Sequence, residues 1–380
     1  MVKSTLELII ISIQITILTI IMRLFLYRRI KLKIRALNWL IVIFGIGALQ
    51  GIYELIFYCL IKYAGMTSLE KYNDTHFIIY GVALLVLFVF LECLEHAKPR
   101  FWTTTIAFSF WGIFVSTYLF DLITNPQRAR LEDYFGIYFF EFLQIFVIGY
   151  AMMVFYRIYN KSKYQPLKTI SLLFVIAFVA FEIVSILELT EHWTTWDIPN
   201  MEVFTVVFLY VAVIYFIFPY YIYLVPHDIH NLILLNSNGL VIYNCQVGEH
   251  ETTKDSALLM GGAVTGLETF LKSIFRTEDR LKRIQMTNMS LIMIGHENMV
   301  AIAIVEKLSF ILRTAMQQLI QESIQKFPEL NKQEGQIYLD EEKIAGIVKI
   351  ISRVFPFIQS KEVFPIDIKK ISKNEQADEF

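Results

Sequence analysis

The chain has 380 residues, 56% of them hydrophobic and only 18% charged, with a formal net charge of −1. Soluble domains run nearer to about 45–50% apolar and about 25% charged, so this composition points to a membrane protein. The near-neutral balance argues against a nucleic-acid binder, which needs a basic face, and three cysteines are too few for a disulfide-stapled secreted scaffold.

Apolar stretches dominate the chain as far as Pro226. Seven of them are read, at about 5–27, 37–61, 77–95, 101–121, 135–156, 168–189 and 202–224. A hydrocarbon core of about 30 Å takes roughly 20 helical residues to cross, and each stretch is long enough. The first is too long for the apolar part of a signal peptide and no small-residue cleavage site follows it, so a retained anchor is expected. An odd number of crossings places the two ends of this region on opposite sides.

Positive charge orients the region. The turns after stretches 1, 3 and 5 carry Arg28, Arg29, Lys31, Lys33 and Arg35, then Lys98 and Arg100, then Arg157, Lys161, Lys163 and Lys168. The alternate loops hold Lys62, Lys71, Arg128 and Arg130, diluted by acids. Lys and Arg on short loops stay cytoplasmic, so the N-terminus is expected outside and the C-terminus inside a cell membrane. Trp39, Trp102, Trp193, Trp196, Tyr220, Tyr221 and Tyr223 fall where lipid meets water. Cys59, Cys93 and Cys245 fall at depths too different for bridging.

Ionisable groups within the bilayer are costly and mark function by default. Glu54, Glu141 and Glu182 lie inside stretches 2, 5 and 6, about 9–11 Å below the outer surface by helical rise, with Gln14 of stretch 1 at nearly that depth. Gln50 and Glu54 share a helix side with Gly47 and Gly51. Tyr138, Glu141 and Gln144 share one side of stretch 5, and Glu182 and Ser185 share one side of stretch 6. The expectation is one outward-facing pocket for a cation, an amine or a proton, lined by Gln14, Gln50, Glu54, Tyr138, Glu141, Gln144, Glu182 and Ser185. The plainer alternative is that each acid is separately hydrogen-bonded across the bundle. Glu92, Glu95 and His96 end stretch 3, where a solvated helix end is expected. Glu191, His192, Trp193, Trp196, Asp197 and Glu202 crowd the loop before stretch 7, as a lid or as an interfacial belt.

After Pro226 the pattern changes. Acids outnumber bases by 20 to 17 in this tail, with no basic stripe. Strands are expected at Ile229–Asn236, Leu240–Gln246, Lys282–Thr287, Ser290–Ile294 and Met299–Val305, with turns at Asn236–Gly239 and Gly295–Asn298. A helix over about 254–275 repeats Leu259, Ala263, Gly266, Phe270 and Ile274 on one face. A second helix runs Leu308–Phe327, stopped by Pro328, and Asp340 caps a third over about 341–354. The fold class is therefore an all-α seven-helix membrane bundle followed by a small α+β domain of order ββαβββα. The divisions are 1–226, 227–330 and a trailing helix with a frayed tail over 331–380.

No chemistry is expected of the tail. Gly261-Gly-Ala-Val-Thr-Gly266 lacks the Gly-Lys-Ser/Thr ending of a phosphate loop and lies in a helical pattern. His227 and His230 have no further ligands near them, and His296 falls in a turn. Catalytic residues, metal ligands and cofactors are all expected to be none.

Three phrases of the tail resemble the longin and roadblock family of small domains. They are Asn231-Leu-Ile-Leu-Leu-Asn-Ser-Asn-Gly-Leu-Val-Ile-Tyr243, Leu258-Leu-Met-Gly-Gly-Ala-Val-Thr-Gly-Leu-Glu-Thr-Phe270, and the strand meander into the second helix. The match covers roughly 229–327. A trailing helix, with no soluble helix before the first strand, looks more like the longin arrangement. The resemblance implies a non-catalytic platform that dimerises through helices or sheet edges and binds or regulates small GTPases. Together the two regions suggest a multi-pass receptor that couples an outside stimulus to a cytosolic output domain. Its partners would be the lipid bilayer, a cytosolic protein such as a small GTPase, and a second copy through the cytosolic domain. The alternative is a transporter or channel with an accessory domain, which would favour broken helices or inverted repeats.

Overall fold

The computed structural model describes residues 2–32, 34–66, 75–124, 135–161, 165–191, 209–210, 212–223, 229–236, 241–246, 262–263, 266–267, 283–285, 289–331 and 341–355. The chain divides into two units, Met1–Ile222 and Tyr223–Phe380.

Long apolar runs become helices in the first unit. They are α1 (Val2–Leu32), α2 (Asn38–Lys62), α3 (His76–Glu95), α4 (Phe101–Thr124), α5 (Phe135–Lys161) and α6 (Gln165–Glu191). All six are long and apolar enough to cross a membrane. The seventh stretch is described only in part. Residues 209–210 and 212–217 are helical and lead to a 3₁₀ turn at Pro219–Tyr223, while residues 201–208 and 211 lie outside the described residues.

Small residues and aromatic rings set the packing. Helix α1 lies along α2, α2 along α3, α3 along α5, and α5 along α6, with α4 against α5 and α3. A Cβ on Gly51 would stand 2.7 Å from Ile15, and one on Gly81 2.5 Å from Trp111, so glycine lets α2 meet α1 and α3 meet α4. Phe155 of α5 packs on Phe174 of α6 with ring centroids 4.6 Å apart. Phe174 in turn meets Tyr210 at 5.9 Å and Tyr215 at 5.8 Å. The Arg28 guanidinium of α1 lies 4.7 Å from the Phe216 ring centre. Through Tyr210, Tyr215 and Phe216 the described residues of the seventh stretch thus touch both α6 and α1, and close a ring of helices running α1, α2, α3, α5, α6 and back.

The second unit is built on five antiparallel strands in the order β2-β1-β5-β4-β3. They are β1 (Ile229–Asn236), β2 (Val241–Gln246), β3 (Arg283–Gln285), β4 (Ser290–His296) and β5 (Met299–Val305). Leu232 pairs with Cys245 on one side and with Ala303 on the other, so β1 is an interior strand. Strands covered on both faces read as unbroken apolar runs. Leu232, Ile233, Leu234 and Leu235 are accordingly all buried. One sheet face gathers Ile233, Leu235, Met293 and Ile302.

The β4–β5 hairpin is tighter than the sequence suggests. Strand β4 runs through Gly295 to His296, and the turn narrows to Glu297-Asn298, with Glu297 at φ 52°. Pairing of His296 with Met299 fixes the two-residue loop, and the left-handed conformation falls on Glu297 rather than on the glycine.

Helix α7 (Phe310–Lys326) begins two residues later than the apolar pattern implies, because Ser309 caps it. The Leu312 N–H donates to Ser309 Oγ at 3.0 Å. Helix α8 (Glu341–Val354) packs on α7. Arg353 pairs with Glu322 and Lys343 with Glu329. Of the helix expected over 254–275, residues 262–263 and 266–267 are helical and the rest lies outside the described residues, as do the 237–240 part of the first turn and the Asp340 cap.

Candidate functional site

The expected pocket residues divide by burial. Gln14, Gln50, Gln144 and Glu182 are buried and come from four helices of the ring. Glu54 and Glu141 are half-buried. Tyr138 is 50% exposed, on the opposite flank of α5 from Gln144. The reason is helical drift: steps of three residues turn about 60° short of a full circle, so Tyr138 and Gln144 lie about 120° apart. The Ser185 side chain lies outside the described residues.

Registers show which of these are level. Gly51 faces Ile15, which brings Gln50 and Gln14 to one height at the α1–α2 interface. Phe155 meets both Phe174 and Phe178. Counting from that contact along antiparallel helices, Glu182 comes level with about residue 149 of α5, roughly two turns from Glu141. Buried Glu182 Oε2 has no hydrogen-bond partner among the described residues. The expected lid residues after Glu191 lie outside the described residues.

A second polar cluster is more completely assembled, and it corrects one expectation. Glu92 and Glu95 do not form a solvated helix end: their side chains are 0% and 1% exposed. Helix α3 stops at Glu95, His96 turns extended, and Pro99 prevents further helix. The chain doubles back, so that Arg100 reaches Glu92. Its backbone N–H donates to Glu92 Oε2 at 2.9 Å, and its Nη2 and Nε donate to Oε1 at 3.0 and 3.3 Å. Thr103 Oγ1 of α4 donates to the same Oε1 at 3.1 Å. Helix α5 supplies the rest. Tyr150 Oη donates to Glu95 Oε2 at 2.9 Å, and Arg157 Nη1 donates to Glu95 Oε1 at 2.5 Å. Arg100 Nη2 also reaches Tyr150 Oη at 3.4 Å, which joins the two pairs into one network.

The electrostatics balance locally. Two carboxylates face two guanidiniums, and the hydrogen bond to Glu92 holds the Arg100 pKa above its ordinary value. Buried carboxylates are tolerated only when their lone pairs are filled, and here both oxygens of each acid have a donor. Both arginines remain half in solvent, at 46% and 49% exposure, so their stems line the helices while their outer edges stay wet. The network ties α3, the α3–α4 turn, α4 and α5 together at the end of the bundle that carries the basic turns.

Sequence reasoning passed over this cluster because Arg157 is 62 residues from Glu95. The usable signal was local: an acid pair one turn apart, Glu92 and Glu95, followed by a proline-bounded turn and Arg100. Among the described residues no group of three or more His, Cys, Asp or Glu side chains is placed to hold a metal ion. Compared with protein-family models, curated proteins and solved structures, the chain matches none.

Proposed function

We propose that this protein is a multi-pass membrane sensor with seven crossings, its N-terminus outside and its sheet unit in the cytosol. A stimulus bound from outside among the buried polar residues of the ring would shift helix packing. The sheet unit, a longin/roadblock-like and non-catalytic platform, would pass that shift to a cytosolic partner, a small GTPase, or to a second copy of itself.

The observation that carries this reading is the ring of helices with Gln14, Gln50, Gln144 and Glu182 buried on four of its members. Polar groups at bilayer depth are costly and mark function by default, and four of them on four helices are what a ligand entering from outside would meet. Short coupling supports the second half. Only residues 224–228 separate the 3₁₀ turn ending at Tyr223 from β1. Five residues span at most about 18 Å when fully extended, which leaves little slack.

Full-length protein in lipid nanodiscs, offered purified small GTPases in both nucleotide states, tests this. Nucleotide-dependent binding that Glu182→Gln alters supports the sensor. Ion or solute flux through the full-length protein in liposomes, abolished by Glu182→Gln, with no GTPase binding, replaces it by the transporter reading.

A further inference from the structure

We infer that His96 is a proton-operated release for the Glu92–Glu95 network, and that protonating it uncouples α3 from α5. The inference stands whether or not the sensor reading holds.

The geometry puts the imidazole in a position to compete. His96 Nε2 lies 4.0 Å from Glu92 Oε2 and 3.7 Å from Glu95 Oε2. Its backbone N–H donates to Glu92 O at 2.8 Å, which fixes it at the helix end beside both acids. The groups around the two acids set the balance. Helix α3 carries Glu92 and Glu95, with Cys93 beside Glu92. The turn brings Arg100, and α4 brings Thr103. Helix α5 brings Tyr150 and Arg157. With His96 neutral, two anions meet two paired cations. With His96 charged, three cations share two anions.

The three cations are not equivalent. Arg100 reaches Glu92 from the turn, and Arg157 reaches Glu95 from α5, so both hold separate elements together. Both are half-exposed and can swing into water at small cost. His96 is 11% exposed and sits next to α3 itself. A charged imidazole therefore satisfies the acids from within their own helix and weakens the bonds that cross between helices. Histidine is the side chain whose unperturbed charge changes between about pH 5 and pH 8, which sets the range over which the exchange is tested.

The test is a distance. Spin labels are placed at Lys98→Cys, in the α3–α4 turn, and at Lys161→Cys, at the end of α5, in full-length protein lacking its native cysteines and held in nanodiscs. At about pH 8 the wild-type network should give one short distance, and at about pH 6 a second, longer population. His96→Gln should keep the short distance at both pH values. Glu95→Gln, which leaves Arg157 free to hydrate, should show the longer population at both. A wild-type distance that does not change with pH overturns the inference. So does a His96→Gln protein that lengthens with acid as the wild type does.

Discussion

At the residue scale, the Glu92–Arg100 and Glu95–Arg157 pairs are asymmetric, and that asymmetry is measurable. The acids are buried while the bases are half in solvent. Removing a base strands a carboxylate where water cannot reach it. Removing an acid frees a guanidinium that can hydrate. Arg157→Ala should therefore cost about 3–5 kcal/mol, the usual penalty for an unpaired buried charge, and Glu95→Gln clearly less. Thermal unfolding of the two variants in nanodiscs gives the comparison. Equal losses would mean that the pair acts only as a surface salt bridge. The sequence shows why this site was hard to see. Charges at a helix end are usually wet, and nothing near Glu95 in the chain announces a partner on α5. The pocket residues show the opposite case. Their spacing is visible in the sequence, but a three-residue step drifts off one face, and Tyr138 falls away from Gln144.

At the element scale, apolar length and periodicity carried most of the fold. Six of the long stretches are helices, and β1 and β5 fall at the expected residues because continuous apolar runs of β-branched and leucine residues suit a strand covered on both faces. What stayed hidden depends on backbone detail. The cap at Ser309 moved a helix start, and the pairing of His296 with Met299 moved a turn onto Glu297. Two substitutions probe the contacts that position these elements. Ser309→Ala should lower the stability of the sheet unit by about 1 kcal/mol, seen as an earlier denaturant midpoint with an unchanged slope. In the membrane unit, Gly81→Ala puts a methyl against Trp111 and should push α4 from α3. The expected readout is a lower unfolding temperature, with overpacking typically costing about 1–3 kcal/mol. An unchanged unfolding temperature would show that Trp111 rotates aside and that the close approach is not needed.

At the scale of the whole molecule, a bundle of span-like helices is followed by a sheet unit, and the proposed topology gives each a side. The chain's own charge pattern supplies the sides: basic turns follow α1, α3 and α5, and the loops between carry fewer Lys and Arg. The sheet unit is also expected to fold by itself. Residues 223–358, expressed alone, should be soluble and unfold cooperatively, since the unit carries its own core around Ile233, Met293 and Ile302. A chain that stays unfolded when separated would show that it depends on the bundle. The most direct measurement of the central claim is labelling of intact cells with a membrane-impermeant thiol reagent, using single cysteines in a background without the native three. The account predicts that Met66→Cys, between α2 and α3, reacts in intact cells. Lys98→Cys, between α3 and α4, and Glu306→Cys, in the sheet unit, should react only after the membrane is opened. Reaction of Glu306→Cys in intact cells would place the sheet unit outside and contradict a cytosolic output.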